Sequence, residues 1–325
     1  MTSTSPFVTI VVPTHGRKAL LEQLLQSLYA QTYDPASFEI VVVHNYSDDG
    51  TEEAVKQWQS TSPVPLQYVK KHNNTPTPSR HHGGTHAKGD IIAFIDDDCI
   101  AEPDWIANGV KGFQTSEGAK PVGLVQGRTL PNPAHQRRFL EKTVSITGES
   151  IFFETCNIFY SKAAFDAVDG FSAEFMDKFY GEDTDLGWKV RKAGFDAVFQ
   201  DTATVYHHVF HVSFWKWLKE PLFFKHLPYL MEKHPELRDF MWHRYFLTAE
   251  TAYFQLFMLG VIASLSGFFW LLLLCTPYLV QRYKSGSAMP NPMLRVIRIG
   301  AGLPRSLFTW YALVTGTLRY RSVLL

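Results

Sequence analysis

Three carboxylates, Asp96-Asp97-Asp98, close the apolar run Ile91 to Ile95. Gathering that much negative charge beside a buried strand is costly unless a cation neutralises it. A hard divalent ion, Mg2+ or Mn2+, is held by one or two such carboxylates and completed by phosphate oxygens of a substrate. A second acidic pair, Glu182-Asp183, follows Gly181 and opens a segment in which Leu186, Val190 and Ala193 form an apolar face and Gly194 ends it. The dipole of a helix favours carboxylates in its first turn, keeping them ionised and able to accept a proton. Asp185, about 200° round the helix from Asp183, should face elsewhere. His207 and His208 end a strand over Thr204 to Tyr206, and a neutral imidazole there can complete a metal site. Arg80-His81-His82-Gly83-Gly84 reads as a basic turn able to meet a diphosphate, whereas Asp48-Asp49-Gly50 chiefly marks a turn. Taken singly, each has a plainer reading as a solvated turn, a charged helix end or a pair of core histidines.

The surrounding pattern must position these groups. Phe7 to Val12 is a continuous β-branched run closed by Pro13, the signature of a strand buried on both faces. A helix follows over Arg17 to Gln31, where Leu20, Leu21, Leu24, Leu25 and Leu28 make one apolar stripe. The cycle repeats with a strand over Phe38 to Val43, a helix over Thr51 to Gln59 and a short strand ending near Val69. Alternation of this kind implies a parallel, doubly wound α/β sheet. Ligands of such sheets bind beyond the carboxyl ends of the strands, where the turns after Val12, Val43 and Ile95 converge. Lys70 to Ser79 carries two X-Pro bonds and no periodicity and reads as a loop; Pro131 to Arg138 is a polar break.

Together these residues resemble the GT-A catalytic domain of family 2 glycosyltransferases. The resemblance is carried by IVVPTHGR (10 to 17), EIVVVHNYSDDGT (39 to 51), SRHHGGTHAKGDIIAFIDDDC (79 to 99) and the run from CNIFYS (156 onward) through GEDTDLGWKVRKAGF to VYHH, ending at 208. It implies a GT-A fold, largely a parallel doubly wound sheet, over residues 1 to 210. It further implies an inverting enzyme that moves a sugar from a nucleotide-sugar donor to an acceptor hydroxyl with the help of Mg2+ or Mn2+. Pro13, Thr14 and Arg17 would line the nucleotide pocket, with Arg80 near the nucleotide. Asp96 and Asp97 would hold ribose or metal waters, and Asp98 and His207 the metal. Asp183 would be the catalytic base, with Glu182 beside it orienting the acceptor. His44, followed by Asn45, stands where the family commonly has an Asp that contacts the base. His81 stands where it has an Asn, so the resemblance leaves the nucleotide base open.

Composition narrows the alternatives. With 31 basic and 31 acidic residues, no global field draws the chain to nucleic acid. The cysteines Cys99, Cys156 and Cys275 have no zinc-type spacing and fit a reducing compartment, and the short apolar N-terminal run is not a secretory signal, so the catalytic part is expected in the cytoplasm. A sugar nucleotidyltransferase would want a Gly-rich loop after the first strand, where only Gly16 stands, and a hydride-transferring enzyme would want GxGxxG. A non-catalytic sugar-nucleotide binder or partner subunit is the remaining rival.

Residues 211 to 325 form a second, helical region. Tyr253 to Val280 runs 28 residues without charge and predicts association with membrane lipid, which suits a lipid-linked or cell-envelope glycan acceptor. A single span would put Arg282, Lys284, Arg295, Arg298, Arg305, Arg319 and Arg321 on the far side from a cytosolic catalytic domain, against the positive-inside tendency. A hairpin broken near Ser264-Leu265-Ser266-Gly267, or a helix lying in the interface, keeps them near anionic lipid. Ser306 to Leu318 is apolar but too short to span.

Overall fold

In the computed structural model, residues 5–73, 75–114, 120–135, 140–177, 180–285 and 292–325 are described below. The chain divides into two compact units, Met1–His211 and Val212–Leu325.

The first unit runs β1 (Val8–Thr14), α1 (Lys18–Tyr29), β2 (Phe38–Asn45), α2 (Thr51–Thr61), β3 (Leu66–Lys71), α3 (Thr77–Thr85), β4 (Ile91–Ile95), β5 (Cys99–Ala101), α4 (Trp105–Gly112) and β6 (Val122–Pro131). It continues with β7 (Glu141–Lys142), β8 (Asn157–Ser161), α5 (Lys162–Ala167), α6 (Glu182–Lys192), β9 (Asp196–His207) and β10 (Phe210–His211). Eight strands form one sheet in the order β3-β2-β1-β4-β8-β6-β9-β5. The β3-β2-β1-β4 half is wholly parallel, as the alternation requires. Beyond it the sheet is mixed: β8 runs antiparallel to β4 and β6, β6 pairs parallel with β9, and β5 pairs antiparallel with β9. The expected parallel sheet is therefore only the first half, because the short β5 and β8 return without a crossover helix of the βαβ kind.

Every residue of β1 and β4 is buried, which is why both read as unbroken apolar runs. α1 covers the sheet with Leu21, Leu24, Leu25 and Leu28, all buried. The second half is fixed by Asn157, a fully buried amide on β8. It accepts from the Trp105 indole at 2.8 Å and donates to the carbonyls of Arg128 and Ala203 at 2.8 and 2.9 Å, tying α4, β6 and β9 to one side chain.

Two sequence expectations are corrected here. Lys70 to Ser79 is not wholly loop: β3 extends to Lys71, and α3 begins at Thr77 with Pro78 in its first turn, where a missing N–H costs nothing. The Arg80-to-Gly84 segment is accordingly helix rather than turn. Its glycines admit close packing, since a Cβ at Gly83 would lie 2.3 Å from Val11 Cγ1 and one at Gly84 2.6 Å from the Phe165 ring. The polar break expected over Pro131 to Arg138 passes outside the described residues from Gln136 onward.

The second unit consists of α7 (Phe214–Lys219), α8 (Leu227–Lys233), α9 (Ala249–Leu265), α10 (Thr276–Ser285) and α11 (Pro292–Tyr320), with short 3-10 turns between. The apolar run Tyr253 to Val280 is not one helix. α9 stops after 17 residues, the chain turns through Gly267 at φ +93°, and Phe269–Cys275 returns as a 3-10 segment against α9. A helix of that length rises only about 26 Å, and among the described residues no helix is long and apolar enough to cross a membrane. The single-span reading thus falls, and the break lies where the Ser264–Gly267 segment suggested it. Tyr278 is buried and its hydroxyl meets Ser306 Oγ at 2.8 Å, while Arg282 pairs with Glu250 at 3.1 Å and Arg305 with Glu220 at 2.8 Å. Part of the basic tail is therefore spent within the unit; the side chains of Arg295 and Arg298 lie outside the described residues.

Candidate active site

The strand ends of the first unit gather the chemistry. Asp96, Asp97 and Asp98 leave β4 and turn directly into β5. The antiparallel pairing of β5 with β9 sets Cys99 opposite His207, and the His208 N–H donates to the Asp98 carbonyl at 2.8 Å. That register, rather than sequence proximity, brings His207 beside Asp98.

Each of the three aspartates has its own environment. Asp96 is half-buried, and desolvation would raise its pKa, but the Arg80 guanidinium at 2.6 Å holds it below the usual carboxylate range. Asp97 accepts from Thr14 Oγ1 at 2.7 Å and from Arg17 at 3.0 Å, yet burial pushes it up to about 7. Asp98 is also raised by burial, against the pull of His207 and Arg17. Its Oδ2 accepts from Arg17 at 2.7 Å, while its buried Oδ1 has no hydrogen-bond partner and lies 3.5 Å from His207 Nε2.

His207 Nδ1 lies 2.8 Å from the His208 carbonyl, which can only accept, so Nδ1 carries a proton. In the neutral ring Nε2 then presents a lone pair toward an orphaned carboxylate oxygen. Asp98, Cys99 and His207 are, among the described residues, the group whose potential ligand atoms lie within 4.8 Å of one another. Burial raises the Cys99 thiol well above its ordinary value, and its sulfur donates toward the Cys156 carbonyl at 3.7 Å. Asp98 and His207 remain as a pair that fits a hard divalent cation.

On the other side, α6 opens with Glu182 and Asp183. Arg80 joins the two clusters: one of its terminal nitrogens meets Asp96, and the other lies 3.6 Å from Glu182. Burial and then the neighbouring Asp183 charge push Glu182 up to about 8. Burial likewise raises Asp183, to about 6, with Arg80 and hydrogen bonds from Thr155 opposing it. Asp185 does face elsewhere, fully buried and accepting from Ser172 Oγ at 2.5 Å.

Thr14, Arg17, Asp97, Asp98 and His207 thus form one half of a network and Arg80, Asp96 and Glu182 the other, the halves meeting along the chain at Asp96-Asp97, with Asp183 facing Arg80. Pro13 is buried at the end of β1 opposite Val43. His44 and Asn45 are not in the network. The His44 ring is fully buried, its nitrogens engaged by Tyr68 OH at 2.9 Å and Ser47 Oγ at 2.8 Å, and burial lowers its pKa. Asn45 clamps Asn73 in both directions, at 2.6 and 2.7 Å. Both brace the strand-end loops. Thr155 has no signature in the sequence: its contact with Asp183 spans 28 positions, and a threonine before an apolar strand carries no signal of it.

A parallel βαβ half, a mixed second half and a carboxylate turn ending β4 define a GT-A-like α/β domain. The chain belongs to the glycosyl transferase family 2, whose family model matches residues 9–179, just over half of its length. It is 30% identical over 132 residues to glycosyltransferase AglE of Haloferax volcanii, covering 41% of this chain and 43% of that relative. It is 25% identical over 225 residues to validoxylamine A glucosyltransferase of Streptomyces hygroscopicus subsp. limoneus, covering 59% and 49%. The chain spans about half the length of the curated relatives it matches. Among solved structures, mannosyltransferase PcManGT of Pyrobaculum calidifontis, in complex with GDP-Man and Mn2+, aligns with TM-score 0.58 at 20% identity, over 98% of this chain and 88% of that one. TarS 1-349 of S. aureus in complex with UDP-GlcNAc aligns with TM-score 0.53 at 15% identity, over 97% and 92%. At these identities the likeness is one of fold.

Proposed function

We propose that this protein is an inverting glycosyltransferase that moves a sugar from a nucleotide-sugar donor to an acceptor hydroxyl. The observation that carries the reading is Arg80, whose guanidinium ties the carboxylate turn after β4 to the acidic head of α6. The electrophile and the base of a displacement need that juxtaposition. Asp98 and His207 would hold a Mg2+ or Mn2+ ion, which when bound supplies Lewis-acid stabilisation to the leaving diphosphate. Arg17, part-exposed beside Asp97 and Asp98, is placed to meet phosphate oxygens. The acceptor oxygen bonds to the anomeric carbon as the bond to the diphosphate breaks, the electron pair leaves with the nucleotide, and the hydroxyl proton passes to Asp183. Glu182, held neutral by its raised pKa, would orient the acceptor as a hydrogen-bond donor. PcManGT is in complex with GDP-Man and TarS 1-349 with UDP-GlcNAc, and both donors belong in the test. Purified protein given UDP- and GDP-sugars with Mn2+ should release nucleoside diphosphate, and EDTA should stop it. A donor panel left intact would remove the reading in favour of a pure binder.

The second unit supports a finer reading, that the enzyme works at the cytoplasmic surface of a membrane on a lipid-linked or cell-envelope glycan acceptor. Around the Gly267 turn Leu265 is 84% exposed, Phe269 71%, Trp270 69% and Leu273 74%, with no charge between Glu250 and Arg282. Apolar side chains so clustered and exposed, with an indole among them, suit insertion into the interface rather than spanning. The protein should co-sediment with vesicles containing anionic lipid, and Leu265→Asp/Phe269→Asp should release it. Wild-type protein that stays in the supernatant would overturn this.

A further inference from the structure

We infer that Thr155 is a positioning residue for the base, its backbone N–H and its hydroxyl together fixing the plane of the Asp183 carboxylate and favouring its ionised form. The inference rests on glycosyl transfer as proposed above. Thr155 N–H donates to Asp183 Oδ2 at 3.0 Å and Thr155 Oγ1 donates to Oδ1 at 3.0 Å, so one residue engages both oxygens. Thr155 is 1% exposed, and water cannot readily replace a donor there.

The clamp is itself held by α6. Residues 151 to 155 lie along the helix in the opposite direction, with the Trp188 indole donating to the Ile151 carbonyl at 3.0 Å and Thr184 Oγ1 to the Phe152 carbonyl at 3.1 Å. Phe153 takes φ 52°, a left-handed conformation that is unfavourable for a side chain of this size. Its ring lies against Gly187, where a Cβ would come within 2.1 Å of it. The helix that carries the base therefore anchors the strap that orients it.

The charged and titratable groups around Asp183 are Arg80 on α3, Asp96 after β4, Glu182 on α6, Cys156 beside the strap and Tyr160 on β8. Only Arg80 among them favours the carboxylate. Donors to the ionised form from Thr155 are thus a main counterweight to burial.

Thr155→Val keeps the β-branched shape and the backbone N–H but removes the hydroxyl. The acid limb of the pH–rate profile, followed as nucleoside diphosphate release with Mn2+, should move up by about one pH unit, and Thr155→Ser should restore it. The Asp183 carboxyl carbon, observed by 13C NMR and assigned with Asp183→Asn, should show the same shift in its titration without any substrate. Thr155→Ala serves the same comparison if the valine variant does not fold. A limb and a titration that stay in place while the rate drops at every pH would overturn the inference. If wild type releases no nucleotide, glycosyl transfer alone fails, and the carboxyl titration still decides the clamp.

Discussion

Asp183→Asn should lower turnover roughly 100-fold or more while donor binding persists. The amide keeps the size of the side chain and one acceptor oxygen for Thr155, but it cannot take the proton of the attacking hydroxyl. The pH dependence follows from the same group. Burial raises Asp183 to about 6, so its ionised fraction, and with it the rate, should be lost as pH falls through that value. Glu182→Gln should act differently. Glu182 lies beside Arg80 and is raised to about 8, so near neutral pH it is largely protonated and poorly suited to accept a proton. Its amide should mainly weaken acceptor binding. Rates of both variants, set beside donor affinity by calorimetry, decide the assignment. Near wild-type turnover in Asp183→Asn with an inactive, donor-binding Glu182→Gln would invert it.

Asp98→Ala should abolish turnover without unfolding the protein. Asp98 is buried with one oxygen unpaired, and its raised pKa means that folding is favoured with the carboxyl protonated. That contribution is present below the ordinary carboxylate pKa and is lost as pH rises through the raised value, so the ionised group opposes folding where the protonated one does not. Its removal should leave the melting temperature unchanged or higher, the pattern expected where a site is kept for function at the expense of stability. His207→Ala should instead raise the Mn2+ concentration needed for activity. Full activity of the wild type in excess EDTA, or of Asp98→Ala with Mn2+, would take the pair out of the mechanism.

How far the sequence disclosed all this follows from which interactions are local. β1, β2 and β4 are buried on both faces, so their apolar runs were legible, and the leucine stripe of α1 follows helical period. The acidic runs declared themselves because charge beside an apolar strand is conspicuous. The mixed half of the sheet did not, since β8 and β9 owe their places to pairings far along the chain. α3 was hidden because prolines and paired glycines ordinarily mark loops. Here the prolines start the helix, and the glycines admit Val11 and Phe165. The resemblance points to His44 as a base contact, yet its ring lies buried between Tyr68 and Ser47, which a single sequence cannot anticipate. The long apolar run was legible as a stretch without charge, but its fold at Gly267 depends on packing of Cys275 and Leu271 against Gly260.

The central claim, one displacement assisted by one base, is tested most directly by the configuration of the product. The transferred sugar's anomeric proton, read by NMR early in the reaction with the donor that releases nucleotide fastest, should report the configuration opposite to that of the donor. Retention would require two displacements through a nucleophile, and would contradict the role assigned to Asp183.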